Sequence, residues 1–115
     1  VLHAHGQDIM FPLLRIYPVQ IFNWHAWESL PEIVEAALLT GKCLMAGLER
    51  MDITEGHKNE IERQIYETLR QTGGRRIIVS PGCVIRYPLD REMLSFVRKA
   101  KEEIEEKMFP KPKMK

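Results

Sequence analysis

Four short runs rich in apolar and β-branched residues, at 1–5, 19–24, 43–48 and 76–80, alternate with stretches of helical periodicity, and this alternation constrains the fold more than any other feature. Strands separated by connections of helical length pair in parallel, since only antiparallel neighbours can be joined by a tight turn. Right-handed crossovers then leave two architectures, an open doubly wound sheet or part of a closed barrel.

Two features favour the barrel. No Gly-x-Gly-x-x-Gly turn follows any of the runs, so the dinucleotide-binding version of the open sheet has no support. Every run also leads into small or polar residues at its C-terminal end: His3 and His5, then Asn23, Trp24 and His25, then Gly47 and Glu49, then Ser80, Gly82 and Cys83. In an eight-unit barrel that rim is where catalysis is built. The predicted fold class is therefore α/β, with parallel (β/α) units forming half of a TIM (β/α)8 barrel. A full barrel takes ~250 residues, and the 115 residues here make one domain, 1–115, of four β/α units. The first and last strands would be open edges, so the expected partner is the missing half-barrel, or another copy through self-association along those edges.

The helices are punctuated. Residues 8–17 read as a short helical stretch, and Ser29-Leu30-Pro31-Glu32 has the pattern of a capping box with Pro in the first turn, opening a helix that ends at Gly41. Ile61, Ile65 and Leu69 recur at four-residue spacing and stop at Gly73-Gly74, where a left-handed C-cap costs least. Met93, Val97, Ala100, Ile104 and Met108 share one face of a last helix, while Lys99, Lys101, Glu102, Glu105 and Glu106 form a solvated face opposite. Pro110 ends that helix ahead of a frayed basic tail. At the other end, Val1-Leu2-His3-Ala4-His5-Gly6 has no polar lead-in and is expected to begin inside a structural element.

Charge narrows the partners. Seventeen basic and sixteen acidic residues give a formal charge of +1, which provides no footprint for nucleic acid or an anionic membrane surface. No run approaches the ~20 apolar residues of a membrane span, and no signal-peptide pattern opens the chain, so a cytoplasmic location is expected. Two cysteines make no disulfide framework. Cys43 reads as a packed thiol and Cys83 as an exposed one.

His3 and His5 are two apart on a strand, so their imidazoles project from one face and can share a metal ion. Cys83 follows the fourth strand in Ser80-Pro81-Gly82-Cys83, a turn expected to hold the thiol out of regular structure. Two imidazoles and a thiolate leave zinc a fourth, open position of the catalytic kind. Packing alone also accounts for a His-x-His pair or a lone Cys. Placement on one rim is what joins them.

His3-Ala4-His5-Gly6, the Asn23-Trp24 strand end, Leu44-Met45-Ala46-Gly47-Leu48 and Ser80-Pro81-Gly82-Cys83-Val84-Ile85 before a helix resemble the C-terminal half of the uroporphyrinogen decarboxylase and cobalamin-dependent methyltransferase superfamily. The resemblance runs over nearly the whole chain and implies that the N-terminal half of the barrel is absent. In the methyltransferase branch, His-x-Cys on one strand and a Cys in a late Pro-Gly-Cys turn bind zinc, which implies His3, His5 and Cys83 as metal ligands, with His3 and Cys83 central to catalysis. His5 departs from that pattern, where the branch has Cys. The exchange removes one negative charge and makes a bound thiolate less nucleophilic. The implied activity is zinc-dependent methyl transfer between a corrinoid, carried on a partner protein, and a thiol-type acceptor. The decarboxylase branch implies instead a porphyrinogen-type polycarboxylate gripped by arginines of the missing half, since this half puts none on its rim and Arg50 and Arg86 are only the nearest; Cys83, where that branch has His, counts against it. A third alternative is a catalytically inactive half-barrel that self-associates.

Asn23, His25 and Glu49 are candidates for substrate binding, Asn23 and His25 also as hydrogen-bond partners of a metal ligand, and Glu49 also as a fourth ligand or general base, against a plain solvated strand end. His57 is a surface residue opening the third helix. Trp24 and Trp27 are expected in the core or at a subunit contact.

Overall fold

Leu44, Ala46 and Leu48 alternate with Cys43, Met45 and Gly47, and alternation sends the two sets to opposite faces of a strand. In the computed structural model, which describes residues 1–6, 8–85 and 90–110, this run is the strand β3, Cys43–Leu48. It lies in one all-parallel sheet with β1 (Leu2–His3), β2 (Ile21–Asn23) and β4 (Ile77–Pro81), in the order β1-β2-β3-β4. Among the described residues five helices connect and follow the strands: α1 (Phe11–Leu14), α2 (Ile33–Thr40), α3 (Arg50–Glu55), α4 (Lys58–Thr72) and α5 (Arg91–Met108). Among the described residues the strand order never reverses, so they form no switch point of the doubly wound kind.

The helices cover one face of the sheet. Phe22, Leu44 and Ala46 are buried beneath Phe11 of α1 and Ile33 and Ala36 of α2. Leu48 is buried with Ile53 of α3, Ile61, Ile65 and Leu69 of α4, and Met93 and Ala100 of α5. In register with these strands, Ile77 pairs with Leu44 and Val79 with Ala46, so the edge strand turns the same face inward. On the opposite face Ile21, Cys43 and Met45 are only half-buried and Ile78 is exposed. The molecule is correspondingly a slab, 43 × 42 × 19 Å. Among the described residues no helix is long and apolar enough to cross a membrane.

Several sequence-predicted boundaries move. The first strand spans Leu2–His3 rather than 1–5, although Ala4 still donates to the Asn23 carbonyl at 2.9 Å. The second spans Ile21–Asn23 rather than 19–24, and the fourth runs one residue on, into Pro81. The stretch 8–17 holds a single helical turn. No capping box forms at Ser29. Its hydroxyl is taken by the His25 carbonyl at 3.1 Å and the Pro31 carbonyl accepts from Trp24 Nε1 at 3.0 Å, so the loop persists to Glu32 and α2 starts at Ile33. Helix α3 was not foreseen. The caps at Gly41 and Gly73, both left-handed, stand where the sequence puts them. The tail 111–115 and Arg86 lie outside the described residues.

Candidate metal centre

All four strands end at one edge of a parallel sheet, so the polar residues that follow them are gathered there by topology alone. β1 and β4 are nonetheless separated by two strands, and neighbours ~4.8 Å apart would hold them roughly 14 Å from each other in a flat sheet. Their C-terminal extensions close this distance: Cys83 Sγ lies 3.7 Å from His5 Nδ1. One ligand atom each from His3, His5 and Cys83 falls within 4.8 Å of the others. His3 and His5 are exposed and Cys83 is half-buried, so the thiol is more enclosed than expected.

Two residues bend the edge inward. A Cβ on Gly82 would sit 2.6 Å from the Trp24 carbonyl oxygen and 2.8 Å from His25 Cα. Only glycine lets the Cys83 turn lie on the end of β2. Asn23, buried on β2, reaches the other three strands: its Nδ2 donates to the Met45 carbonyl of β3 at 2.5 Å and the Pro81 carbonyl of β4 at 3.1 Å, while Oδ1 lies 2.6 Å from His3 Nδ1.

His25 and Glu49 take other places. The buried His25 ring packs edge-on to His5 with centroids 5.4 Å apart, and its Nδ1 lies 3.3 Å from Glu28 Oε2. Its Nε2 is buried with no hydrogen-bond partner among the described residues. Burial pushes its pKa below the usual imidazole range, with Glu28 opposing. It stands beside the converging atoms and is not one of them. Glu49 caps α3, accepting from the Met51 N–H at 3.2 Å. Burial and then the neighbouring Glu28 carboxyl raise its pKa. It is half-buried and is no member of the three-residue cluster.

The tryptophans divide. Trp24 is fully buried, whereas Trp27 is half-buried and donates to the Gly47 carbonyl at 2.7 Å. Cys43 is half-buried on the uncovered face rather than packed in the core. His57 is at the surface as expected, and pairs with Asp52 at 2.8 Å.

Sequence reasoning missed Glu28 and Gln64. Nothing in the neighbourhood of Glu28 marks it. Gln64 had a signal: it stands three residues after Ile61 on the inward face of α4, yet is polar and buried. It accepts from the Glu49 N–H at 2.9 Å and donates to Asp52 Oδ2 at 2.7 Å, tying α4 to the rim.

Two imidazoles and one thiol form a borderline-soft donor set that suits zinc better than magnesium or calcium. Three protein donors leave an open coordination position. No family model, no curated protein and no solved structure matches this chain.

Proposed function

We propose that His3, His5 and Cys83 hold zinc at the rim of a uroporphyrinogen decarboxylase-like half-barrel, in an enzyme that moves a methyl group between a corrinoid on a partner protein and a thiol-type acceptor. The observation carrying this is the convergence of three ligand atoms within 4.8 Å, drawn from strands at opposite edges of the sheet. Zinc in such a site supplies the Lewis acidity that keeps an acceptor thiol deprotonated near neutral pH. The chain's part is to hold the donors. β1 and the residues just after it supply two imidazoles, the turn after β4 supplies the thiol, and the His25 ring packs edge-on against His5. The sequential strand order and the single uncovered apolar face support the half-barrel reading, with a complementary half or a second copy completing the ring.

Metal analysis of chelator-free protein is expected to give about one zinc per chain, lost in Cys83→Ala, and thiol addition to the zinc form is expected to release a proton. Absence of zinc from the wild type, or its full retention without Cys83, would overturn the site. Arg50 favours a second reading, decarboxylation of a polycarboxylate: its Nη1 reaches the Val84 carbonyl at 3.5 Å, beside the cluster. That reading predicts carboxylate binding that Arg50→Gln abolishes and chelators leave intact.

A further inference from the structure

The side chain of Asn23 touches every other strand of the sheet, and the chemistry of its partners settles how it must be oriented. Backbone carbonyls only accept hydrogen bonds. The end of the amide that faces both the Met45 and Pro81 carbonyls is therefore the nitrogen, which spends its two N–H groups on them. The oxygen is left for His3 Nδ1, 2.6 Å away. An amide oxygen cannot donate, so His3 Nδ1 must carry the hydrogen. In the neutral ring the remaining nitrogen, Nε2, is then the one with a free lone pair. Nothing local to β1 decides this: the tautomer of a residue on the first strand is dictated by carbonyls on the third and fourth.

We infer that Asn23 is the positioning residue of the metal centre, fixing His3 as the Nδ1–H tautomer so that Nε2 is the metal donor and pinning the Pro81 carbonyl two residues before Cys83. This rests on the zinc reading of the site, and it adds which nitrogen of His3 binds and what sets it. The same side chain governs both ends of the ligand set, because its acceptor arm orients His3 and its donor arms locate the turn that carries the thiol. A hydrogen-bonded partner on the far ring nitrogen is worth ~10–100-fold in metal affinity at sites of this kind.

Nitrogen-15 correlation spectra of the metal-free chain at a pH where its imidazoles are neutral, with the His3 signals identified by their loss in His3→Gln, are expected to show Nδ1 protonated and Nε2 bare. A predominant Nε2–H form, or fast exchange between the two, overturns the inference without any metal present. Asn23→Ala is expected to release that tautomer preference and to weaken Co²⁺ binding, followed by the thiolate-to-cobalt absorption, by ~10–100-fold. Asn23→Asp keeps an acceptor for His3 while losing both donors, so it should retain the tautomer as the fold loosens. If Asn23→Asp matches Asn23→Ala in the ring spectra, or if Asn23→Ala binds Co²⁺ as tightly as wild type, Asn23 is merely structural. A wild type that keeps the Nδ1–H form yet binds no Co²⁺ sinks the metal reading and the donor assignment with it, while the tautomer set by Asn23 stands.

Discussion

The two halves of the sheet reach stability by different routes. In the first, β1 and β2 have two and three residues and their helices four and eight. Its core is an aromatic cluster, with Phe11 stacked 5.4 Å from Phe22 and 5.1 Å from Trp24 between ring centroids. Its outer surface leaves Leu13, Ile16, Leu30 and Leu38 well exposed. In the second half, strands of six and five residues pack under α4 and α5, of fifteen and eighteen. The core there is an Ile/Leu stripe, and the solvent faces carry ion pairs such as Arg63–Glu60 and Lys101–Glu105. Long amphipathic helices bury a continuous stripe and stand largely on their own periodicity. The short elements stand on a few large side chains and on hydrogen bonds from Asn23, Trp24 and Ser29.

The sharpest way to break this contrast is to remove the centre of each core. Trp24→Ala is expected to cost about 3–5 kcal/mol and to weaken the near-ultraviolet dichroism of the aromatic residues that remain while most helical signal survives, since the buried residues of α4 and α5 belong to the other cluster. Ile65→Ala should cost about 2–5 kcal/mol and take both signals together in urea unfolding. If the two variants lose both signals in the same single step, the halves are not energetically distinct.

Gly82→Ala probes the seam between them. The added methyl meets the Trp24 carbonyl, so a loss of about 1–3 kcal/mol in denaturant titration is expected, with weaker zinc binding as the Cys83 turn lifts away. An unchanged midpoint would mean that the turn does not rest on β2.

The smallest expected effect separates the halves by sign. His25, buried in the first, has its pKa lowered chiefly by burial, and exposed His57, in the second, has it raised chiefly by its hydrogen bond to Asp52. Unfolded, both titrate near 6.5. Below that value the unfolded chain binds the His25 proton that the fold refuses, so this contribution to stability falls as pH drops toward the depressed folded value. Above it the folded chain still holds the His57 proton, and that contribution is lost as pH rises through the elevated value. Denaturation midpoints between about pH 5 and 8 should flatten on the acid side in His25→Gln and on the alkaline side in His57→Gln. The reverse assignment would contradict the environments described.

The same contrast explains what could be read from sequence. β3, the stripe of α4 and the caps at Gly41 and Gly73 were legible because repetition and left-handed glycines are local signals. The limits of β1, β2 and α1 were not, because a strand of two or three residues is bounded by what its neighbours bond to, and those neighbours lie twenty residues away. His3, His5 and Cys83 could be nominated from donor type and strand position. The role of Asn23 could not be foreseen in detail, since it depends on carbonyls at 45 and 81 that the sequence does not mark. His25 and Glu49 follow strands on that rim, but both neighbour Glu28 instead of joining the three donors.

His5 and Cys83 are 78 residues apart along the chain. An ion held between them acts as a clasp around most of the molecule, closing in the folded state a loop that the unfolded chain rarely closes. Occupancy would then add to folding free energy by mass action, about 2.7 kcal/mol at a hundred times the dissociation constant. Were the cluster occupied, metal supply would bear on how firmly the first and last strands stay together, because its donors come from both edges of the sheet.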